Sequence, residues 1–171
     1  MKRRHFYEKS FNDFISGRMK EFKRRLELYD NKNEKCMELV EKFSFKPIKI
    51  NKKDIMENEK VGDFLRIGKI RRIQTSKKYE IAIPFVGDET LLSRFLKICY
   101  NLDVEIKDNK ILLVYEIGKS VSGSGNNNLD KKRDERFKQI LFELEKCIEE
   151  LNKLIENFNE ELKDFCKSEF E

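Results

Sequence analysis

The strongest constraint on the fold is a seven-residue repeat of apolar side chains in the last third of the chain. One position of the repeat is held by Phe137, Leu144, Leu151, Phe158 and Phe165. Most positions three and four residues further on are also apolar, which makes a stripe wide enough for a packed helix. The spacing predicts one long helix across residues 129–171. A repeat of 3.5 residues per turn favours gentle left-handed supercoiling with a partner.

The beginning of the chain carries a similar repeat. Its apolar positions are Ile15, Phe22, Tyr29, Cys36 and Phe43. Met19, Leu26 and Val40 stand four residues after Ile15, Phe22 and Cys36. Pro47 ends the pattern, because proline cannot continue a helix and disfavours helix for the residue before it. We therefore predict a second long helix across residues 1–46.

The two ends of the chain carry opposite charge: +5 for residues 1–46 and −4 for residues 129–171. Similar length and opposite charge favour an antiparallel pair that resembles a coiled coil. The predicted interface of this pair consists of Ile15, Phe22, Leu26, Tyr29, Val40, Leu144, Ile148, Leu151 and Phe158. Alternatively, each stripe packs on the middle of the chain or on a second copy of it.

The middle of the chain has the pattern of a small β-rich unit. The predicted elements are a strand across 64–73 with an irregularity at Gly68, a polar turn across 74–78, a strand across 79–85, a short helix across 90–100, and a hairpin across 104–117. The predicted class is therefore α+β, with two long antiparallel coiled-coil-like helices flanking a small β-β-α-β-β head domain.

This pattern divides the chain into four parts. They are an N-terminal stalk helix (1–46), a head (47–120), a flexible linker (121–128) and a C-terminal stalk helix (129–171). The Ser, Gly and Asn residues of the linker are typical of a flexible connector. Ser122-Gly-Ser-Gly125 is either a natural loop or a laboratory linker.

Several kinds of chemistry lack the residues they need. The single histidine, His5, has no Ser or Cys partner to suggest a hydrolase, and the cysteines lack zinc-ligand spacing. Gly118-Lys-Ser120 resembles the end of a phosphate-binding loop, but Leu113 stands where that loop needs glycine. We predict no catalysis, no cofactor, no metal site and no small-molecule substrate.

The composition also bears on the compartment. No apolar run approaches the roughly 20 residues of a membrane span, and the N-terminus lacks the apolar core of a signal peptide. The four cysteines form no CxxC, and three lie in helical patterns where cysteine usually acts as a small apolar side chain. These features predict a cytoplasmic protein (or a nuclear one, if eukaryotic) that does not enter a membrane.

One group of basic residues is a candidate surface for nucleic acid. It consists of Arg66, Lys69, Arg71, Arg72, Lys77 and Lys78, on the predicted first strand and its turn. Such groups neutralise phosphates without regard to base sequence. The alternative is a solvated face or, for the basic residues of the N-terminal helix, pairing with the acidic C-terminal helix.

Three short stretches resemble a known family. They are Phe64-Leu-Arg-Ile-Gly-Lys-Ile70, Ile81-Ala-Ile-Pro-Phe-Val-Gly87 and Ile111-Leu-Leu-Val-Tyr-Glu-Ile-Gly118. They are similar to the coiled-coil and pre-motor region of FtsK/SpoIIIE-like DNA-translocating ATPases. The resemblance covers about a third of the chain and implies an accessory or stalk-like piece of DNA-handling machinery. The motor's phosphate loop is missing, so no ATPase residue is carried over.

Taken together, the sequence favours a non-catalytic structural or protein-interaction module, a helical-pair stalk that carries a small head and acts as a scaffold. Its partner would be another protein or further copies of the chain. The first alternative is a nucleic-acid-binding accessory protein that uses the basic turn. The second is a fragment of translocase-type machinery without the ATPase site.

Overall fold

A computed structural model describes the backbone of residues 2–67, 73–99, 104–118 and 127–170, and the side chains of 9–59, 77–98, 104–117 and 130–169. The described part of the chain contains four α-helices and one antiparallel five-stranded sheet, which confirms the α+β class. The helices are α1 (Lys2–Leu26), α2 (Lys32–Phe43), α3 (Glu89–Cys99) and α4 (Asn127–Phe170). The strands are β1 (Lys49–Ile50), β2 (Met56–Ile67), β3 (Ile73–Val86), β4 (Val104–Lys107) and β5 (Lys110–Gly118).

The prediction of one helix across residues 1–46 is wrong, because the chain breaks between α1 and α2. The Tyr29 N–H bonds the Leu26 carbonyl (3.2 Å), which tightens and closes the last turn of α1. Asp30 and Asn31 follow, and both residue types favour caps and turns over helix interiors. The Asn31 side-chain amide donates to Glu34 (2.9 Å) at the start of α2. Tyr29 is consequently 39% exposed and does not lie in a helix interface.

The chain forms two compact units, each built from separate stretches of sequence. Unit 1 comprises Met1–Lys49, Val86–Asn101 and Ile148–Glu171, and unit 2 comprises Ile50–Phe85 and Leu102–Cys147. This grouping differs from the predicted boundaries in two respects. The helix α3 belongs with the helices of unit 1 and not with the sheet, and α4 contributes its first half to unit 2 and its second half to unit 1.

Aromatic side chains form much of the core of unit 1. The ring of Phe22 on α1 packs edge-on against Phe43 of α2 (5.7 Å) and Phe165 of α4 (6.0 Å). Arg18 donates to the last carbonyl of α2, that of Phe43 (2.8 Å), and its guanidinium lies 4.3 Å from the ring centre of Phe45. Burial of each large apolar side chain stabilises the unit by about 1.5–3 kcal/mol. These contacts bring α1, α2 and the second half of α4 together.

A disulfide joins two helices of unit 1. It connects Cys36 of α2 to Cys166 of α4, with 5.8 Å between the Cα atoms, and both residues are buried. The expectation that these cysteines act as separate apolar side chains is therefore wrong for this pair. Sequence spacing alone could not reveal the bond, because the two residues are 130 positions apart.

Gly87 allows two backbone segments of unit 1 to approach each other closely. Its φ is +135°, a conformation that residues with a side chain rarely adopt. A Cβ placed there would lie 2.5 Å from Cδ1 of Ile48 and 3.0 Å from the carbonyl oxygen of Pro47. Gly17, in the interior of α1, has nothing within 4 Å of the corresponding position.

The two glycines give a matched pair of stability predictions. Gly87→Ala is expected to lower the free energy of unfolding by about 2–3 kcal/mol, because strain and the clash with Ile48 add. Gly17→Ala is expected to raise it by about 0.5–1 kcal/mol, because alanine loses less backbone entropy in a helix. Urea unfolding of both variants beside the parent protein measures the difference, and equal midpoints would contradict the close approach at Gly87.

The sheet of unit 2 has the strand order β1-β3-β5-β4, and β2 pairs with β3. Along β3 the buried residues Tyr79, Ile81 and Ile83 alternate with half-buried ones, as predicted for a strand with one core face. The strand β5 lies between β3 and β4, in the central position that its apolar sequence predicts. Its hairpin with β4 turns at Asp108 and Asn109, whose positive φ values (53° and 55°) are those of a type I′ turn.

The predicted polar turn at residues 74–78 is wrong, because these residues are the first part of β3. They pair with β2 in a register that includes Thr75 with Leu65 and Lys78 with Lys60. The predicted irregularity at Gly68 lies outside the described residues, and the register shift is found between Lys60 and Phe64. The first residues of β2 are exposed and mostly polar, so hydrophobic periodicity could not identify them as a strand.

Candidate interaction groove

Two asparagines of α4 bind the backbone of the segment that links α2 to β1. Oδ1 of Asn159 accepts the N–H of Phe45 (2.9 Å), and its Nδ2 donates to the Phe45 carbonyl (3.0 Å). Asn152 makes the same pair of hydrogen bonds with Ile48. Its Oδ1 accepts the N–H of Ile48 (2.7 Å), and its Nδ2 donates to the Ile48 carbonyl (2.9 Å). Each amide thus satisfies both polar groups of one residue, which would otherwise be left unpaired in a partly buried position.

The spacing of these contacts favours one conformation of the linking segment, polyproline II. Seven helical residues from Asn152 to Asn159 span about 10.5 Å. Three residues of polyproline II helix span about 9.3 Å and return the backbone to the same orientation. In a β-strand, residues three apart would face opposite sides. Ser44, the first residue of the segment, has φ −59° and ψ 142°, close to polyproline II values, and the spacing from Phe45 to Ile48 fits the same conformation.

A groove of about 540 Å³ lies beside this segment in unit 1. Pro47 forms one wall, and the two asparagines line the side formed by α4, with buried Ile155 also contributing to the lining. The rest of the lining is charged and exposed: Glu149, Lys153, Glu156, Glu160 and Lys163. Amides, mixed charges and a proline side chain can hold an extended polar chain, but they include no nucleophile paired with a base.

The predicted helix-pair residues are found mainly in the cores of the two units. Six of them are buried in unit 1: Phe22, Leu26, Val40, Ile148, Leu151 and Phe158. Leu144 is buried in unit 2, and Ile15 is only half-buried on α1. In unit 1 the order of contacts along α4 is antiparallel to that along the N-terminal part, since Cys36 joins Cys166 while Ile48 bonds Asn152.

The structure describes only part of the predicted basic cluster. Lys69, Arg71 and Arg72 lie outside the described residues, as does the side chain of Arg66. Lys77 forms an ion pair with Glu59 (2.7 Å), and this hydrogen bond raises the lysine's pKa. Its charge is therefore partly neutralised within the protein, and Lys78 is half-buried on β3.

A polar cluster joins β2, β3, β5 and the first half of α4 in unit 2. The hydroxyl of Tyr115 donates to Glu57, and its ring stacks on Tyr79 at 5.3 Å. Burial, with the Glu57 hydrogen bond second, raises the pKa of Tyr115. Arg133 of α4 lies 3.9 Å from Glu57. Every member has a partner inside the cluster, so we assign it to holding α4 on the sheet.

No family model matches the chain, and comparisons with curated proteins and with solved structures also give no match. Among the described residues, no group of His, Cys, Asp or Glu could hold a metal ion. No helix in the described stretches has the length and apolarity needed to cross a membrane.

One feature of the sequence indicates the groove, although we did not predict the groove from it. Asn152 and Asn159 stand seven residues apart, next to the apolar stripe, in a helix whose other polar positions are mostly charged. Two short amides in the same position of a heptad mark a polar contact of fixed register. The partner could not be predicted, because a backbone has no sequence pattern.

Proposed function

We propose that this chain is a non-catalytic protein-interaction module that works within a larger assembly or as a homo-oligomer. The observation that carries the proposal is the groove of unit 1, where paired amides and five charged side chains surround an open volume of about 540 Å³. The size is within the range of ligand sites, but the lining is far more polar than that of a typical small-molecule pocket. A protein segment suits such a surface better.

We further propose that the second half of α4 and the N-terminal helices pair in the manner of an antiparallel coiled coil and act as a scaffold. The heptad stripe of α4 and the antiparallel order of its contacts with Cys36, Phe45 and Ile48 support this arrangement. The Cys36–Cys166 bond favours an oxidising environment, because cytosolic reductants keep most thiols reduced. It stands against the predicted cytoplasmic location, which stays a prediction.

Site-specific photocrosslinking tests the interaction proposal. A photoreactive p-benzoylphenylalanine at the position of Lys153, in the groove, is expected to yield defined protein adducts in cells that produce the chain. The same group at Lys138, an exposed lysine of α4 outside the groove, is the control. Mass spectrometry identifies the adducts. Equal adducts from both positions, or none from Lys153, would overturn the assignment of the groove.

The second candidate function is nucleic-acid binding by the basic cluster. If it holds, affinity for duplex or single-stranded nucleic acid falls steeply with salt, and replacing Arg71 and Arg72 with alanine weakens binding equally for all sequences. The ion pair of Lys77 with Glu59 reduces the contribution of that lysine, so the test is placed on Arg71 and Arg72. Absence of binding at low ionic strength would exclude this function. A titration at two salt concentrations decides the matter.

The resemblance to the pre-motor region of FtsK/SpoIIIE-like translocases leads to a third proposal, an accessory piece of DNA-handling machinery. It is compatible with the interaction module, since such a piece would contact other proteins of the machine. It differs from the second candidate because it requires no direct contact with DNA.

A further inference from the structure

We propose that the groove binds a second polyproline II segment, supplied by a partner protein, alongside the chain's own residues 44–48. This inference rests on the proposed interaction function and names the ligand class. The partner segment carries basic side chains at every third position, with an acidic side chain one period before them, and runs antiparallel to α4.

The first argument is the unused hydrogen-bonding capacity of the two asparagines. A carboxamide has two N–H donors and an oxygen with two lone pairs. Asn152 and Asn159 each use one donor and one lone pair on the chain's own segment. One donor and one lone pair therefore remain on each, and both residues line the groove. The remaining groups are about 10.5 Å apart, which suits carbonyls three residues apart in a polyproline II chain.

The second argument is that the charged groups of the groove repeat with the same period. Glu149, Glu156 and Lys163 stand seven residues apart, in step with the asparagines. A polyproline II ligand with a charged side chain at every third position would meet all three. Because the chain's own segment runs antiparallel to α4, the matching order is acidic, basic, basic, facing Lys163, Glu156 and Glu149 in turn.

The third argument is that these charges have no partners of their own. Elsewhere on α4, charged residues pair within the helix, as Lys131 does with Glu135 and Lys167 with Asp164. Glu149 and Lys153 have the favourable i, i+4 spacing, yet neither they nor Glu156 makes an ion pair with another described residue. They remain available to a charged ligand.

Binding of a synthetic peptide tests the inference on the full chain. The probe is a fluorescein-labelled Glu-Pro-Pro-Lys-Pro-Pro-Lys-Pro-Pro, measured by fluorescence polarisation at low salt. We expect saturable binding of this peptide. A control peptide with glycine in place of each proline is expected to have at least fivefold lower affinity, because a flexible chain must be ordered on binding. A peptide with Lys and Glu exchanged is expected to bind more weakly still. Absence of binding at millimolar concentration would overturn the inference.

Variants of the protein locate the binding site. Glu149→Gln with Glu156→Gln is expected to weaken binding about fivefold, the effect of two exposed ion pairs. Glu150→Gln with Glu161→Gln makes the same charge change on exposed residues of α4 outside the groove and should leave affinity unchanged. Equal effects of the two pairs would overturn the site. All four residues are exposed, so the variants are expected to fold.

The side-chain amide signals of Asn152 and Asn159 in a nitrogen-15 NMR spectrum provide an independent measurement. They should shift on addition of the peptide, and unchanged signals would overturn the hydrogen-bonding scheme. If crosslinking at Lys153 succeeds while the peptide fails to bind, the interaction function stands and the ligand class is wrong. If both experiments fail, the groove is not an interaction site.

Discussion

Replacing Cys36 and Cys166 together with alanine is expected to lower the free energy of unfolding by about 3–5 kcal/mol. The bond closes a loop across 130 residues, and in the chain-entropy description the stabilisation grows with loop length. Single domains are stable by only about 5–15 kcal/mol. Loss of this bond would therefore remove a large part of the free energy of unfolding.

Urea unfolding in the presence and absence of dithiothreitol measures this effect. The parent protein under reducing conditions should unfold close to the midpoint of the double variant, while the variant itself should not respond to the reductant. Cys147→Ala, at a half-buried position outside the disulfide, is the control and should leave the response to reductant intact. A parent protein with the same midpoint in both conditions would show that the bond does not form or does not stabilise the fold.

The second large effect is expected from the two asparagines that hold residues 45 and 48. Asn152→Leu with Asn159→Leu removes four hydrogen bonds and leaves the backbone groups of Phe45 and Ile48 unpaired. At about 1 kcal/mol for each partly buried group, the free energy of unfolding should fall by about 4 kcal/mol. Leucine fills the space and favours helix, so neither a cavity nor poor helix propensity explains the loss.

A matched control lies on the same helix. Asn157 is exposed, and Asn157→Leu should change the free energy of unfolding by less than about 0.5 kcal/mol. Thermal unfolding followed by circular dichroism gives the comparison. If the double variant is as stable as Asn157→Leu, the amides do not contribute to holding the segment.

Elements with a repeating apolar pattern could be predicted from the sequence. The helix α4 covers nearly the range that its heptads indicate, because a long stripe has no other regular solution. The strand β3 from Tyr79 onward and the β4–β5 hairpin were also predicted, since alternation and a polar Asp-Asn turn occur together there. In each of these elements the signal is local.

The errors arose where the local apolar pattern does not report what the chain does. The break after α1 lies at Asp30 and Asn31, residue types that favour turns, but the apolar repeat continues past them and predicted an unbroken helix. The first half of β2 has an exposed, polar sequence and is a strand because β3 pairs with it. The Cys36–Cys166 bond and the Asn152–Ile48 contact join residues more than 100 positions apart, and no local pattern reports such contacts.

The candidate site was harder to predict than the fold. The basic residues 66–78 attracted attention because charge is visible in a sequence, but within the described part of that cluster Lys77 is bound to Glu59. The groove was missed because its main ligand within the chain is a backbone.

The hydrogen bonds from the two asparagines hold the backbone of residues 45 and 48 without contacting the side chains of that segment through hydrogen bonds. Asn152 and Asn159 bond only main-chain atoms of Phe45 and Ile48, and the side chain of Lys46, between them, is exposed. A substitution at Lys46 should therefore leave these hydrogen bonds in place, whereas replacing either asparagine removes two of them. The backbone path of residues 44–48 therefore depends on Asn152 and Asn159 more than on the side chain at position 46.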